Sequence, residues 1–143
     1  YPQPTAILHL AAGSATANSA PLKFTSGTNL TTPENGAVEY DGTNYFVTSG
    51  TTRYTLAKTL TQTSSLDFTS TSSRSSSDLT ITVTGASVGD AVVLGIPNSS
   101  VNANSTFTAW VSAANTVTVR FNNYSTAAID PASGTFRVSV LKY

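Results

Sequence analysis

The sequence predicts an all-β protein whose C-terminal part is a small antiparallel β-sandwich of jelly-roll-like form. Hydrophobic residues reach 39% while charged residues are only 10%, and the abundant Val, Thr, Tyr and Phe suit a pleated, half-buried surface. Several segments alternate between apolar and polar residues, which is the period of a strand with one buried face. No segment keeps a helical apolar period over three turns.

The C-terminal region, residues 61–143, contains six predicted strands separated by turn-forming residues. They cover 65–70, 78–86, 91–97, 106–113, 116–123 and 135–143. The second strand alternates strictly, so Leu79, Ile81 and Val83 should share a buried face opposite three threonines. The third lacks this alternation and should be buried on both faces. Short strands at this spacing predict a sandwich or a jelly-roll-like barrel.

The last three strands supply most of the predicted core. Their expected inward residues are Phe107, Ala109, Val111, Val117, Val119, Phe121, Phe136, Val138 and Val140. Ala114-Asn115 is expected to form a tight turn between the fourth and fifth strands. A sheet built this way buries one face and solvates the other with Ser and Thr, of which the chain has 45.

The N-terminal region, residues 1–60, contains shorter β-like segments. "GAVEYDGTNYFVT" (36–48) predicts a β-hairpin around the turn Asp41-Gly42. The other segments are 5–10, 21–26 and 52–60, with Tyr54 and Leu56 on one face of the last. An isolated hairpin is marginally stable in water, and no set of residues here can close a core. We therefore expect this region to bury its apolar side chains against a partner chain.

Composition excludes several function classes. The net charge is zero and the seven Lys and Arg residues are dispersed, so a nucleic-acid partner is not expected. The absence of Cys removes disulfides and thiolate chemistry, and no apolar run reaches the ~18 residues of a membrane span. Because the chain has no Met, we expect a processed product, a cloned domain or the end of a longer protein.

Titratable residues form no recognisable catalytic pattern. His9 is the only histidine, and the seven carboxylates are scattered along the chain. Asp78 and Asp90 each precede a predicted strand and are expected to close turns. No phosphate-binding loop, zinc-ligand spacing or nucleophile elbow occurs. The sequence therefore predicts a protein that is not an enzyme and has no cofactor or metal.

Aromatic residues provide the remaining candidate binding groups. Trp110 has the opposite parity to Phe107, so it should point outward if Phe107 points into the core. Three interpretations remain open for Trp110: the core of a strand buried on both faces, a subunit interface, or a platform for a sugar. Asn122, Asn123 and Tyr124 lie at a strand end, where loops carry binding. These four residues are the predicted binding residues.

Two long segments resemble viral fibre proteins. The core "APLKFTSGTNLTTPENGAVEYDGTNYFVT" of residues 5–60 is similar to a segment that recurs in tailed-phage tail fibres and related virion fibres. The stretch from "DLTITVTGASVGDAVVLGIPNSS" to "GTFRVSVL" looks like a small β-domain that ends many phage fibre and appendage proteins. The resemblance implies a homotrimer in which an intertwined β-hairpin shaft (1–60) leads to compact sandwich heads (61–143). It supplies no catalytic motif.

This resemblance identifies the expected partner of the N-terminal region as two further copies of the chain. The predicted trimer-interface residues are Leu8, Leu10, Leu22, Phe24, Val38, Tyr40, Tyr45, Val47, Tyr54 and Leu56. Other virion proteins are expected to bind through a missing N-terminal part. Receptor binding, if present, is expected in loops 98–105 or 122–133, toward a host cell-surface glycan or protein.

The expected function is that of a structural virion fibre component that presents a distal trimeric β-domain for host attachment. A capsid-attached head fibre or decoration protein is an alternative, since it differs only in what it docks to. A secreted carbohydrate-binding or adhesin module is a further alternative, which a surface strip of aromatic residues would favour.

Overall fold

The computed structural model describes residues 7–142 and divides into two compact units, one ending at Leu56 and the other beginning at Ala57. Within residues 7–142 there are nine strands, one 3₁₀ turn at Asn98–Ser100 and no α-helix. The strands are β1 Val38–Tyr40, β2 Tyr45–Ser49, β3 Thr52–Thr55, β4 Lys58–Leu66, β5 Ser76–Thr82, β6 Ala91–Gly95, β7 Ser105–Ala113, β8 Thr116–Asn123 and β9 Gly134–Lys142. The all-β prediction is confirmed, as three small antiparallel sheets.

The first unit contains one sheet of order β1-β2-β3. The predicted hairpin is confirmed as β1 and β2, with Tyr40 opposite Tyr45. Its turn is held by Asp41, whose Oδ1 accepts the backbone N–H groups of Thr43 and Asn44, both at 2.7 Å. A second turn joins β2 to β3 through Gly50, whose φ of +61° lies in the left-handed region that favours glycine.

This first unit has almost no core. Among its described residues only Thr48 is buried. The predicted β-like segment 21–26 does not form a strand, and neither do residues 7–10, while residues 5 and 6 lie outside the described part. A strand needs a neighbouring strand to pair with its backbone N–H and C=O groups. Next to residues 21–26 there is one backbone hydrogen bond to the sheet, from Gly27 N to Tyr40 O at 3.1 Å, which is too few to make this segment a strand.

The second unit is built from two sheets, with strand orders β4-β9-β6 and β5-β8-β7. Their apolar faces form one core, since the rings of Phe107 on β7 and Phe136 on β9 are 5.1 Å apart. The alternation predicted for β8 and β9 is confirmed. Val117, Val119, Phe121, Phe136, Val138 and Val140 are each 0% exposed. The two sheets therefore form a sandwich-like domain around aliphatic and Phe side chains.

The first strand of this domain differs from its prediction. Instead of residues 65–70, the strand is Lys58–Leu66, and it pairs with β9 along its whole length. Only Leu60 and Leu66 are large apolar residues in it, because it is an edge strand with one solvated face. Phe68 lies after its end, yet it is 2% exposed and packs between the sheets.

The predicted two-sided burial of 91–97 is wrong. The strand is Ala91–Gly95 and pairs with β9 alone, at the edge of its sheet. Val92 and Leu94 pack on the core, whereas Val93 is 59% exposed. Because the outward-facing Val93 is itself apolar, the sequence of this strand does not alternate between apolar and polar residues as a half-exposed strand usually does.

The chain enters and leaves this domain at the same end. Lys58 pairs with Lys142 there, and Leu66 pairs with Gly134 at the opposite end. Three connections, 67–75, 96–104 and 124–133, lie at that opposite end because each joins strand ends located there. We call this the far end of the domain.

Candidate functional site

One face of the first sheet is apolar across all three strands. Val38, Val47 and Tyr54 form one row of the sheet, and Tyr40 and Tyr45 lie opposite each other in the next. Leu56 extends that second row, since its N–H donates to Tyr45 O at 2.8 Å. Side chains two residues apart share a face. The apolar face thus consists of Val38, Tyr40, Tyr45, Val47, Tyr54 and Leu56, all of them predicted interface residues.

The apolar face is organised but remains open in the single chain. The rings of Tyr40 and Tyr45 stack at 4.4 Å, and Phe24 packs edge-on against Tyr45 at 6.1 Å. Nevertheless Tyr54 is 53% exposed and Val38 is 48% exposed. Large contiguous apolar surfaces occur more often at interaction sites than elsewhere on a soluble protein.

The opposite face of the same sheet is polar and contacts Leu30, in the segment that precedes the sheet. Arg53 pairs with Glu39 at 2.8 Å and also donates to the carbonyl of Leu30 at 2.6 Å. The N–H of Leu30 in turn donates to Glu39. This backbone hydrogen bond, followed by Arg53, lowers the pKa of Glu39 below its ordinary value. The sheet therefore has one polar face tied to the preceding segment through Leu30 and one apolar face that residues 7–56 cover only in part, through Phe24.

The remaining predicted interface residues lie in the irregular segment before the sheet. Leu8, Leu10 and Leu22 are exposed, and Phe24 is half-buried beside Tyr45. Their contact with a second chain stays a prediction.

The far end of the second unit joins the two loops in which receptor binding was expected. Tyr124 N donates to Asn104 O at 2.9 Å, and Ser100 Oγ donates to Ala132 O at 2.6 Å. The connection 67–75 joins them, because Thr71 and Ile129 exchange backbone hydrogen bonds. Loops from three parts of the sequence thus form one surface.

Asn123 holds this loop surface together. Its Nδ2 lies within hydrogen-bond distance of the carbonyls of Thr71, Ser72 and Ala127, at 2.9, 3.1 and 2.8 Å. Its Oδ1 accepts both the N–H and the hydroxyl of Ser125. The residue is 1% exposed, so its polar groups serve the loops. The structure therefore gives Asn123 a positioning role instead of the ligand contact expected from the sequence.

Replacing Asn123 with alanine is expected to lower the free energy of unfolding by about 2–4 kcal/mol, because buried carbonyl oxygens lose their donor. Asn122→Ala is the matched control. This neighbour is half-exposed, and its replacement should change stability by less than about 0.5 kcal/mol. Urea unfolding followed by Trp110 fluorescence measures both, and equal losses in the two variants would contradict the positioning role.

Beside Asn123 the far end carries an open depression of about 580 Å³. Its lining residues are Arg74, Ser75, Ser76, Asn122, Asn123 and Tyr124. Tyr124 is 62% exposed, and Asn122 shares a row of the outer sheet face with Ser76 and Thr106. Three of the four predicted binding residues therefore meet here.

Trp110 lies elsewhere on the same sheet. It points outward as its parity predicts and is 38% exposed, so the interpretation as a residue of a two-sided core is wrong. The guanidinium of Arg120 lies 5.0 Å from the centre of its ring, which is a cation–π contact. Since Arg120 is in contact with this ring, Trp110 is not a fully open platform for a sugar.

Arg120 is held by Asp78 through two hydrogen bonds of 2.7 Å each. These bonds lower the pKa of Asp78 and raise that of Arg120. Asp78 lies within β5, so its predicted role at a turn is wrong. Asp90 does close its turn, accepting Ser87 N–H at 2.8 Å, and it also pairs with Lys142.

Arg74 is the residue of this region that sequence reasoning missed. It lies in the polar stretch "TSSRSSSD", where nothing distinguishes it from a solvated loop residue. Besides the adjacent Ser75 and Ser76, its neighbours in the depression lie about 50 positions later in the chain, so only the fold brings them together.

Neither metal binding nor membrane insertion receives support from residues 7–142. They contain no group of three His, Asp or Glu side chains that could hold a metal ion. No helix in this part of the chain has the length and hydrophobicity to span a membrane.

No protein-family model, curated protein or solved structure matches the chain. The similarity to fibre proteins noted in the sequence therefore stays a prediction.

Proposed function

We propose that the chain is a structural component of a virion fibre, of the kind carried by tailed phages, and that it assembles as a homotrimer. The observation that carries this proposal is the asymmetry of the first sheet. Its polar face is closed by the Glu39–Arg53 pair and Leu30, while its apolar face is open. Burial of apolar surface favours association, and a second and third copy of the same face are the simplest cover.

Closed threefold symmetry suits a fibre for physical reasons. Each copy offers the same apolar face to the axis, so three faces cover one another and no further chain can add there. The outer surface would be solvated by Ser, Thr and Asn, which keeps it polar without net charge. The remaining apolar residues of the irregular segment would lie between neighbouring copies in an intertwined shaft.

The second unit is proposed as the head that contacts the host surface. Its strand orders, β4-β9-β6 and β5-β8-β7, agree with a reduced jelly-roll. Its loop surface lies at the far end from Lys58, where the chain enters. Three copies of such a surface would turn weak single contacts into firm attachment through avidity.

Sedimentation velocity and mass photometry of the whole chain test the assembly. The expected result is one species of three times the chain mass of 14.8 kDa at micromolar concentration. A stable monomer under these conditions would overturn the proposal. Imaging of intact particles with a labelled antibody then distinguishes attachment at a tail from attachment at a capsid.

A further inference from the structure

We propose that the depression beside Tyr124 binds an anionic saccharide and that Arg74 pairs with its acidic group. This inference names the ligand class for the proposed attachment head, and in that sense it rests on the proposed function. It is carried by the charge of Arg74, by its backbone conformation and by the chemistry of the surrounding side chains.

Arg74 carries a charge that no other described residue neutralises. Arg53, Arg120 and Lys142 each pair with a carboxylate at 2.8 Å or less. Arg74 has no hydrogen bond or ion pair among residues 7–142, although it lines the depression of about 580 Å³. A guanidinium presents a planar set of donors that matches a carboxylate or a phosphate. Its charge is therefore available to an anion at this place.

The backbone of Arg74 adopts a conformation that disfavours any residue with a side chain. Arg74 has a φ of +53°, in the left-handed region where a side chain is strained and glycine is favoured. The turn would form more easily with glycine, so the arginine is not explained by folding. Strain of this kind is a reason to look for a ligand contact.

The walls of the depression combine an aromatic ring with polar side chains. Tyr124 offers an exposed aromatic ring, whose hydroxyl lies 3.4 Å from Thr106 Oγ1. Asn122 and Ser76 supply an amide and a hydroxyl within the same lining. An apolar ring face flanked by such groups suits a sugar, which has both C–H faces and hydroxyls.

Other ligand classes fit less well. A nucleic acid requires several phosphate contacts from a basic surface, whereas Arg74 is the only cation in this lining. A peptide requires an apolar anchor pocket, and the lining here is mostly polar. A saccharide with one acidic group needs only the single cation that is present.

A second depression provides an internal control. Arg137 lines an open depression of about 270 Å³ on the other sheet, together with Thr63, Gly95, Ile96, Pro97 and Thr135. This arginine also has no ion pair in the described chain. Its surroundings contain no aromatic ring and no side-chain amide. They should not bind a sugar, so equivalent changes at the two arginines separate a specific site from a general effect of charge.

The experiment measures binding of three probes to the whole chain by isothermal titration calorimetry. The probes are a trisaccharide ending in glucuronate, its counterpart ending in glucose, and the counterpart ending in glucose 6-phosphate. We expect the glucuronate form to bind at least about tenfold more tightly than the neutral form. Comparing the affinities for the glucuronate and glucose 6-phosphate forms decides whether the site prefers a sugar carboxylate or a sugar phosphate.

Variants assign the effect to the site. Arg74→Gln should reduce binding of the acidic probes to the level of the neutral one, and Arg137→Gln should leave all three unchanged. Tyr124→Ala should abolish binding of every probe. Arg74→Gly should lose the same discrimination while keeping or raising Tm, which excludes unfolding as the cause. Equal affinity of the wild-type chain for acidic and neutral probes, or no affinity for either, would overturn the inference.

Sedimentation in the same buffer keeps the two proposals separate. A trimer that binds none of the probes would overturn the saccharide site and leave the fibre assembly intact. A monomer that binds the acidic probes through Arg74 would support the site and overturn the assembly.

Discussion

Replacing Phe136 with alanine is expected to lower the free energy of unfolding of the second unit by about 3–5 kcal/mol. Phe136 is 0% exposed, and its ring lies 5.1 Å from that of Phe107 and 5.9 Å from that of Phe68. These contacts join both sheets and the loop after β4. Truncation would leave a cavity that the surrounding strands can close only in part, because each is fixed in a hydrogen-bonded ladder.

A loss of this size is a large part of the total for a domain this small. Small domains have about 5–15 kcal/mol of stability in all, and this unit has no disulfide to supplement its core. Urea unfolding followed by fluorescence of the only tryptophan, Trp110 in β7, reports on this unit. The control is Thr135→Ala, one residue earlier and exposed, with an expected change below about 0.5 kcal/mol. A loss below about 1 kcal/mol for Phe136→Ala would show that the aromatic cluster is not central to the fold.

Strands β5, β7, β8 and β9 were predictable because burial imposes a period of two on their sequences. The inward residues of β8 and β9 are large and apolar except for Asn123 at the end of β8, with Thr, Ser, Arg or Asn between most of them. The same parity argument placed Trp110 outward, and it placed Tyr54 and Leu56 on one face of their segment. Local sequence is sufficient where one face of a strand is buried and the other is solvated.

Edge strands were less predictable because their sequences are less constrained. β4 carries Leu60 and Leu66 among polar residues and is a strand because β9 provides a partner along its length. β6 has Val93 on its outer face, which removed the alternation that would have shown its exposure. In both strands the pairing partner, distant in sequence, decides the structure.

The candidate binding site was predictable only in position. The end of β8 indicated Asn122 and Tyr124, since strand ends carry loops. The roles of Asn123 and Arg74 depend on carbonyls and side chains from other loops, which the local sequence does not show. In the sequence alone, both Asn123 and Arg74 are polar residues in or beside a loop, and nothing local shows that the first is fully hydrogen-bonded and the second has no ion pair.

Tyr54→Glu is expected to convert the proposed trimer into monomers. Tyr54 lies on the apolar face of the first sheet and is 53% exposed in the single chain, so a glutamate there is solvated and tolerated in a monomer. In the trimer, the three copies of this carboxylate, one from each chain, would be buried around the axis. Each buried, unpaired charge costs about 3–5 kcal/mol, and the three charges would also repel one another. We expect this combined cost to exceed the stabilisation that the contacts of this face provide.

Thr55→Glu is the matched control for this prediction. It adds the same charge one residue later on the same strand, but on the opposite face of the sheet, where Thr55 pairs with Phe46 and is exposed. Sedimentation velocity should give a trimer for Thr55→Glu and a monomer for Tyr54→Glu, while the urea transition of the second unit stays unchanged in both. If Tyr54→Glu remained trimeric, the contact between copies would have to lie outside the apolar face. If both variants dissociated, charge alone would explain the effect, and the asymmetry between the two faces would not be its cause.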